Sequence, residues 1–132
     1  MKGLDNIGAL AGRIFLGLIF VLAGAFKFPA LAGTAGALAS KGFPDFSTMP
    51  AAFVAALIEL VFGVMLIAGY RARTAALVLF LFLIPTSLLF HTSPWAEQQY
   101  NFMKNLAIMG GLLIVATQGG GGFSFDSRRA AA

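Results

Sequence analysis

Four blocks of apolar residues, 7–28, 50–68, 75–90 and 106–117, take up most of this chain, and the segments between them are too short to hold a soluble domain. As an α-helix rising about 1.5 Å per residue, the first block is roughly 33 Å long and crosses a hydrocarbon core of about 30 Å with slight tilt. With 59% of residues apolar and 11% charged, there is too little polar surface to cover a water-soluble domain. The profile is one of spans and loops. The expected fold class is all-α: an integral membrane four-helix bundle forming a single transmembrane domain over residues 1–132.

The residues before the last two blocks lengthen them. Ser93 followed by Pro94 makes an N-cap and first helical position, with Glu97 in the first turns where the helix dipole favours an anion. Arg73 can snorkel its guanidinium to the headgroups. The four helices are therefore expected at about 7–28, 50–68, 73–90 and 94–117. Between the first two, Leu31 to Ser40 has the length of a short interfacial helix, closed by Lys41 with Gly42 as cap and Pro44 beyond. Lys2, the apolar run after it and Ala23-Gly24-Ala25 imitate a secretory leader, but Asp5 and Arg13 interrupt its expected regions, so the segment is read as a retained first helix.

Lysine and arginine set the orientation. Lys2, Arg71, Arg73, Arg128 and Arg129 fall on one side and Lys27, Lys41 and Lys104 on the other, which places both termini in the cytoplasm by the positive-inside rule. The basic balance fits anionic lipid headgroups and carries no nucleic-acid signal.

Several chemistries are excluded. The chain has no cysteine and one histidine, so it cannot exchange disulfides, hold a bis-histidine haem alone, or assemble a zinc or iron–sulfur site. Any redox role must use a bound organic cofactor or a partner subunit.

On the first helix Arg13, Gly17, Phe20, Gly24 and Lys27 follow a 4, 3, 4, 3 spacing and share one face. In lipid such a face turns inward, because glycine admits a neighbouring backbone and a charge against hydrocarbon costs several kcal/mol. Gly8 and Gly12 form a separate GxxxG pair, as consistent with ordinary packing as with dimerisation. The second helix presents Ala52, Ala55, Ala56, Glu59 and Gly63. Pro85 breaks the hydrogen-bond ladder of the third, where Thr86 or Ser87 can satisfy freed groups. The fourth carries Glu97, Asn101 and Lys104 in a polar stripe, with Gln98 and Asn105 beside it. Trp95 and Tyr100 read as interfacial anchors, and Gly119 to Gly122 as a flexible exit from the membrane.

Glu59 is the position to explain, since a lone carboxylate near the bilayer midplane either neutralises or finds a cation. Arg13, Lys27 and Lys104 are all candidates. A buried ion pair that only fixes helix register is one reading, with Arg13 and Lys27 as packing charges. The functional reading is a pocket formed by Glu59, Lys104 and Asn105 and roofed by His91 and Gln98. Its hydrogen-bond donors, titratable acid and apolar walls suit a quinone headgroup, and equally a small polar solute or an ion.

Taken together, Arg13-Ile14-Phe15-Leu16-Gly17 with Ala23, Gly24 and Lys27, then Gly42-Phe43-Pro44, Glu59-Leu60, Gly63, Gly69, Leu89-Phe90-His91, Lys104-Asn105-Leu106 and Ser124-Phe125-Asp126 resemble the DoxX family of small bacterial membrane proteins. The likeness runs from Arg13 to Asp126. It implies a link to quinone or to membrane oxidoreductase complexes, as an accessory or quinone-interacting subunit, and assigns no catalytic residue. The family's recurring polar positions correspond here to Arg13, Lys27, Glu59, His91, Lys104 and Asn105. The leading expectation is a quinone-binding or oxidoreductase-associated protein with redox partner subunits. The alternatives are a binding or transport protein for a small solute, lipid or proton-coupled substrate, which with so few helices implies a homo-oligomer, or a purely structural assembly subunit.

Overall fold

The computed structural model describes residues Met1–Ala132 and is all-helical. Helix α1 is Lys2–Lys27, followed by a 3-10 turn Phe28–Ala30, α2 Leu31–Ser40, α3 Asp45–Ala68, α4 Ala72–Phe90, α5 Trp95–Gln118 and α6 Phe125–Ala131. Helices α1, α3 and α4 are long and apolar enough to cross a membrane. Helix α5 is as long as α3, but Glu97, Gln98, Gln99, Asn101, Lys104 and Asn105 dilute its first half.

Several boundaries move from the sequence expectation. Helix α3 begins at Asp45 rather than at Pro50, because Ser47 and Thr48 donate their hydroxyls to the carbonyls of Pro44 and Asp45 and steady a first turn ahead of the proline. Pro50 lies so near that start that it forgoes one bond, to the carbonyl of Phe46. Helix α1 starts five residues early, and Pro94, expected as the first helical residue, is instead the cap of α5. Helix α2 spans the expected residues, with Lys41 as its cap and Gly42 beyond, whose φ of 94° needs glycine.

The helices follow one another around the bundle. α1 packs most extensively on α3, α4 on both α3 and α5, while α1 and α5 touch only lightly. Arg13, Gly17, Phe20 and Gly24 are the buried residues of α1, so its charged, glycine-bearing face does turn inward. It meets the face of α3 that carries Ala52, Ala56, Glu59 and Gly63. Leu66, Leu79, Leu83, Leu112 and Val115 form the core between α3, α4 and α5. Around the outside, Phe15, Phe26, Val61, Leu81, Leu88 and Ile114 are exposed. A surface so apolar is suited to lipid.

The glycine run after α5 is a packed turn, which corrects its reading as a flexible exit. Gly119 and Gly121 take positive φ, and the chain folds back so that the amide of Gly122 donates to Asn6 and that of Asp126 to the carbonyl of Gly69. Asp126 then accepts from the amides of Arg71 and Ala72, capping α4 and holding Arg71 in its left-handed conformation. Both termini thus lie at one end of the bundle, where α3 and α4 also join.

Candidate functional site

Two charged clusters lie inside the bundle, one near each end. At the end that carries both termini, Arg13 is 1% exposed. It donates to the carbonyls of Leu66 (3.2 Å) and Ile67 (2.6 Å), the last turn of α3, and to that of Phe123 in the returning loop. Carbonyls in the last turn of a helix lack the usual amide four residues on, though that of Leu66 also accepts from the cap amide of Gly69, and they carry the negative end of the dipole, so a buried guanidinium is well matched to them. Arg13 is a structural charge, and it makes no ion pair with Glu59.

At the other end Glu59 accepts a hydrogen bond from Lys27 at 2.6 Å, in the protein's one salt bridge. Lys104 is excluded as the partner because α5 packs on α4 while α1 packs on α3. Its ammonium is exposed and reaches the side chain of Asn101 at 3.4 Å. Asn105 is buried but turned to α4, where it donates to Ser87 at 3.0 Å. The pocket expected from Glu59, Lys104 and Asn105 is therefore not assembled by these three residues.

A different pocket surrounds Glu59. It is a half-open cavity of about 570 Å³ between the end of α1 and helices α2, α3 and α4. Lys27, Thr34, Glu59, Thr86 and His91 supply its polar groups, and Leu38, Phe43, Ala55, Phe82, Leu89 and Phe90 its apolar walls. Of the expected site residues, Glu59 and His91 line it, joined by Lys27. Gln98 stands behind the wall, with its side-chain oxygen 2.9 Å from His91 Nδ1.

Thr34 and Thr86 went unrecognised as lining residues. Thr34 is brought in because α2 folds over the mouth, and a helix of alanines, glycines and leucines gives no hint of that. Thr86, next to Pro85, donates to the carbonyl of Phe82 one turn back at 2.9 Å, which leaves its oxygen free as an acceptor.

The two partners of the ion pair are unequally placed. Side-chain exposure is 8% for Glu59 and 23% for Lys27, and Lys27 ends α1 where its stem can extend outward. Lys27→Met is thus expected to cost about 3 kcal/mol, by stranding a carboxylate inside the bundle, whereas Glu59→Gln costs about 1 kcal/mol. The double variant Lys27→Met/Glu59→Gln should recover most of the loss. Unfolding curves of the three variants in detergent give all three values.

The DoxX family model matches residues 8–92, from α1 through the C-terminus of α4 and therefore every residue that lines the cavity. The chain is similar to two proteins of Escherichia coli (strain K12). It is 37% identical to inner membrane protein YqjF over 128 residues, covering 96% of this chain and 95% of that one. It is 30% identical to inner membrane protein YphA over 126 residues, covering 90% and 88%. A shorter stretch of 79 residues is 37% identical to CatD of Bacillus subtilis (strain 168), covering 60% of this chain and 56% of CatD, whose name assigns it provisionally to the oxidoreductases. No solved structure matches. A family match over more than half the chain, carried nearly end to end by YqjF, makes this protein a member of the DoxX family, resident in the inner membrane.

Proposed function

We propose that the protein binds a quinone-type ligand in the cavity between α1, α2, α3 and α4 and serves a membrane oxidoreductase system as a quinone-interacting or accessory subunit. The observation that carries this reading is the cavity itself. About 570 Å³ of space, walled by Phe43, Phe82, Leu89 and Phe90, is furnished on its polar side by the Lys27–Glu59 pair and His91. Ligand sites are usually concave and apolar with a few convergent polar groups, and a planar, largely apolar ring bearing two oxygens satisfies both parts. The provisional oxidoreductase name of CatD points the same way.

In the bilayer we place α1, α3, α4 and α5 as four spans, with both termini in the cytoplasm. Lys2, Arg71, Arg73, Arg128 and Arg129 gather at the end with the termini, against Lys27, Lys41 and Lys104 at the other. The polar first half of α5 then lies toward the outer interface, and Asn105 pairs with Ser87 within the bundle. A C-terminal reporter that fluoresces only when it folds in the cytoplasm is expected to be bright.

The functional reading is tested by extracting the protein from its native membrane into polymer nanodiscs and measuring copurifying quinones, other small molecules and proteins by mass spectrometry. Quinone near one per chain, lost in Ala55→Phe where the new ring fills the cavity, is the expected result. An enriched polar solute or lipid in place of quinone would instead favour a binding or transport role for the same cavity.

A further inference from the structure

Resting on the quinone reading, we propose that the cavity selects the reduced, hydroxyl-bearing form of its ligand. A side-chain relay on α5 fixes His91 as a hydrogen-bond acceptor. The relay begins with Lys104, an ammonium that can only donate, which points at the side-chain oxygen of Asn101 at 3.4 Å. The Asn101 amide nitrogen is thereby turned to Gln98 and donates to its oxygen at 3.0 Å. That same oxygen lies 2.9 Å from His91 Nδ1, and a carbonyl oxygen can only accept. His91 must therefore carry its hydrogen on Nδ1. In the neutral ring, the nitrogen left for the cavity is Nε2, with a lone pair and no hydrogen.

Each amide alone can be turned over without violating its own geometry, and the ammonium at the end of the chain removes that freedom. Lys104, Asn101 and Gln98 do not line the cavity. They are positioning residues, and they determine what His91 offers the ligand.

The remaining polar groups lean the same way. Thr86 has spent its hydrogen on Phe82 and presents only oxygen. Glu59 uses one carboxylate oxygen for Lys27 and keeps the other as an acceptor. Against these three acceptors stand the remaining N–H groups of Lys27, with the Thr34 hydroxyl able to act either way. A quinone brings two carbonyl acceptors and no donors, so it leaves His91, Thr86 and Glu59 unpaired. A quinol brings two O–H donors, and its oxygens can still accept from Lys27. A site whose polar groups match a hydroxyl discriminates strongly against the analogue lacking it, because buried polar groups are otherwise left without partners.

The test is equilibrium binding in nanodiscs of ubiquinone-1 and, under argon, of its borohydride-reduced quinol. The quinol is expected to bind at least tenfold tighter, which raises the two-electron midpoint potential of the bound couple by about 30 mV per tenfold. Gln98→Leu should bring the ratio of affinities toward one, whereas Gln98→Glu, which still accepts from Nδ1, should keep it. The chain has a single histidine, so nitrogen-15 spectra of histidine-labelled wild-type protein report His91 alone, and in the neutral ring the hydrogen is expected on Nδ1. A hydrogen on Nε2, equal or tighter binding of the quinone, or a ratio unmoved by Gln98→Leu overturns the proposal while leaving a quinone site in place. If neither form binds, the quinone reading itself fails and takes this proposal with it.

Discussion

Arg13→Met is expected to prevent accumulation of folded protein. The guanidinium is the largest fully buried polar side chain and the only group reaching the carbonyls of Leu66, Ile67 and Phe123 together. Methionine fills much of the volume and supplies no donor. The carbonyls of Ile67 and Phe123 then lose their partner where little water can replace it, while that of Leu66 keeps the amide of Gly69; the loss is about 4 kcal/mol at roughly 1–3 kcal/mol for each unsatisfied group. Against a total stability of about 5–15 kcal/mol, that is a large fraction. Arg13→Lys should be intermediate, since one ammonium cannot span acceptors on α3 and on the returning loop. Fluorescence-detected size-exclusion chromatography of the wild type and both variants, with melting temperatures for those that survive, gives the ranking. A folded, wild-type-like Arg13→Met protein would show that the loop at Phe123 docks without the arginine.

The second large effect belongs to Gly24. A β-carbon there would lie 2.7 Å from the amide nitrogen of Leu60 and 2.9 Å from the carbonyl oxygen of Ala56. Both are backbone atoms of α3, so no rotamer change relieves the clash and the two helices must move apart. Gly24→Val is expected to cost about 3 kcal/mol or more, at the upper end of overpacking penalties, because it spoils a backbone-to-backbone approach that small residues exist to permit. It should also lower ligand occupancy of the cavity, since Lys27 is less than one turn farther along α1 and must keep its reach to Glu59. Gly8 and Gly12 are controls on the same helix. A β-carbon at either meets nothing within 4 Å, so alanine there should be neutral or should stabilise by up to about 1 kcal/mol through helix propensity. Thermal unfolding in detergent separates the two classes, and equal effects at Gly24 and Gly12 would discard the close-approach explanation.

These two positions also show what could be read from the residues alone. Arg13, Gly17, Phe20 and Gly24 repeat at helical spacing, and lipid leaves a face of glycine and charge only one direction to turn. Glu59 was identifiable as the position to explain for the same reason. Its partner was not. Lys27 and Lys104 lie toward the same end of the bundle in any four-helix arrangement, and the choice depends on which helices are neighbours, which no local spacing encodes.

The pocket differs from the expected one for that reason: helical spacing lets Asn105 and Lys104 face inward with Glu59, but the pairing of α4 with α5 turns Asn105 to Ser87 and leaves Lys104 outside. The cap that Asp126 places on α4 and the packing of the loop before it are not legible, because four consecutive glycines read as slack chain. Their contacts run to Asn6, Ala9 and Ala72, far away in sequence.

The returning loop has a bearing on how the protein is made. During synthesis α1 enters the membrane long before Phe123 and Asp126 exist, so Arg13 remains without its full set of acceptors and the first turn of α4 without its cap until the ribosome has passed all four long helices. A nascent or prematurely terminated chain therefore holds an arginine in its first helix that lacks the Phe123 acceptor, and the two ends of the sequence must meet before that charge is fully satisfied.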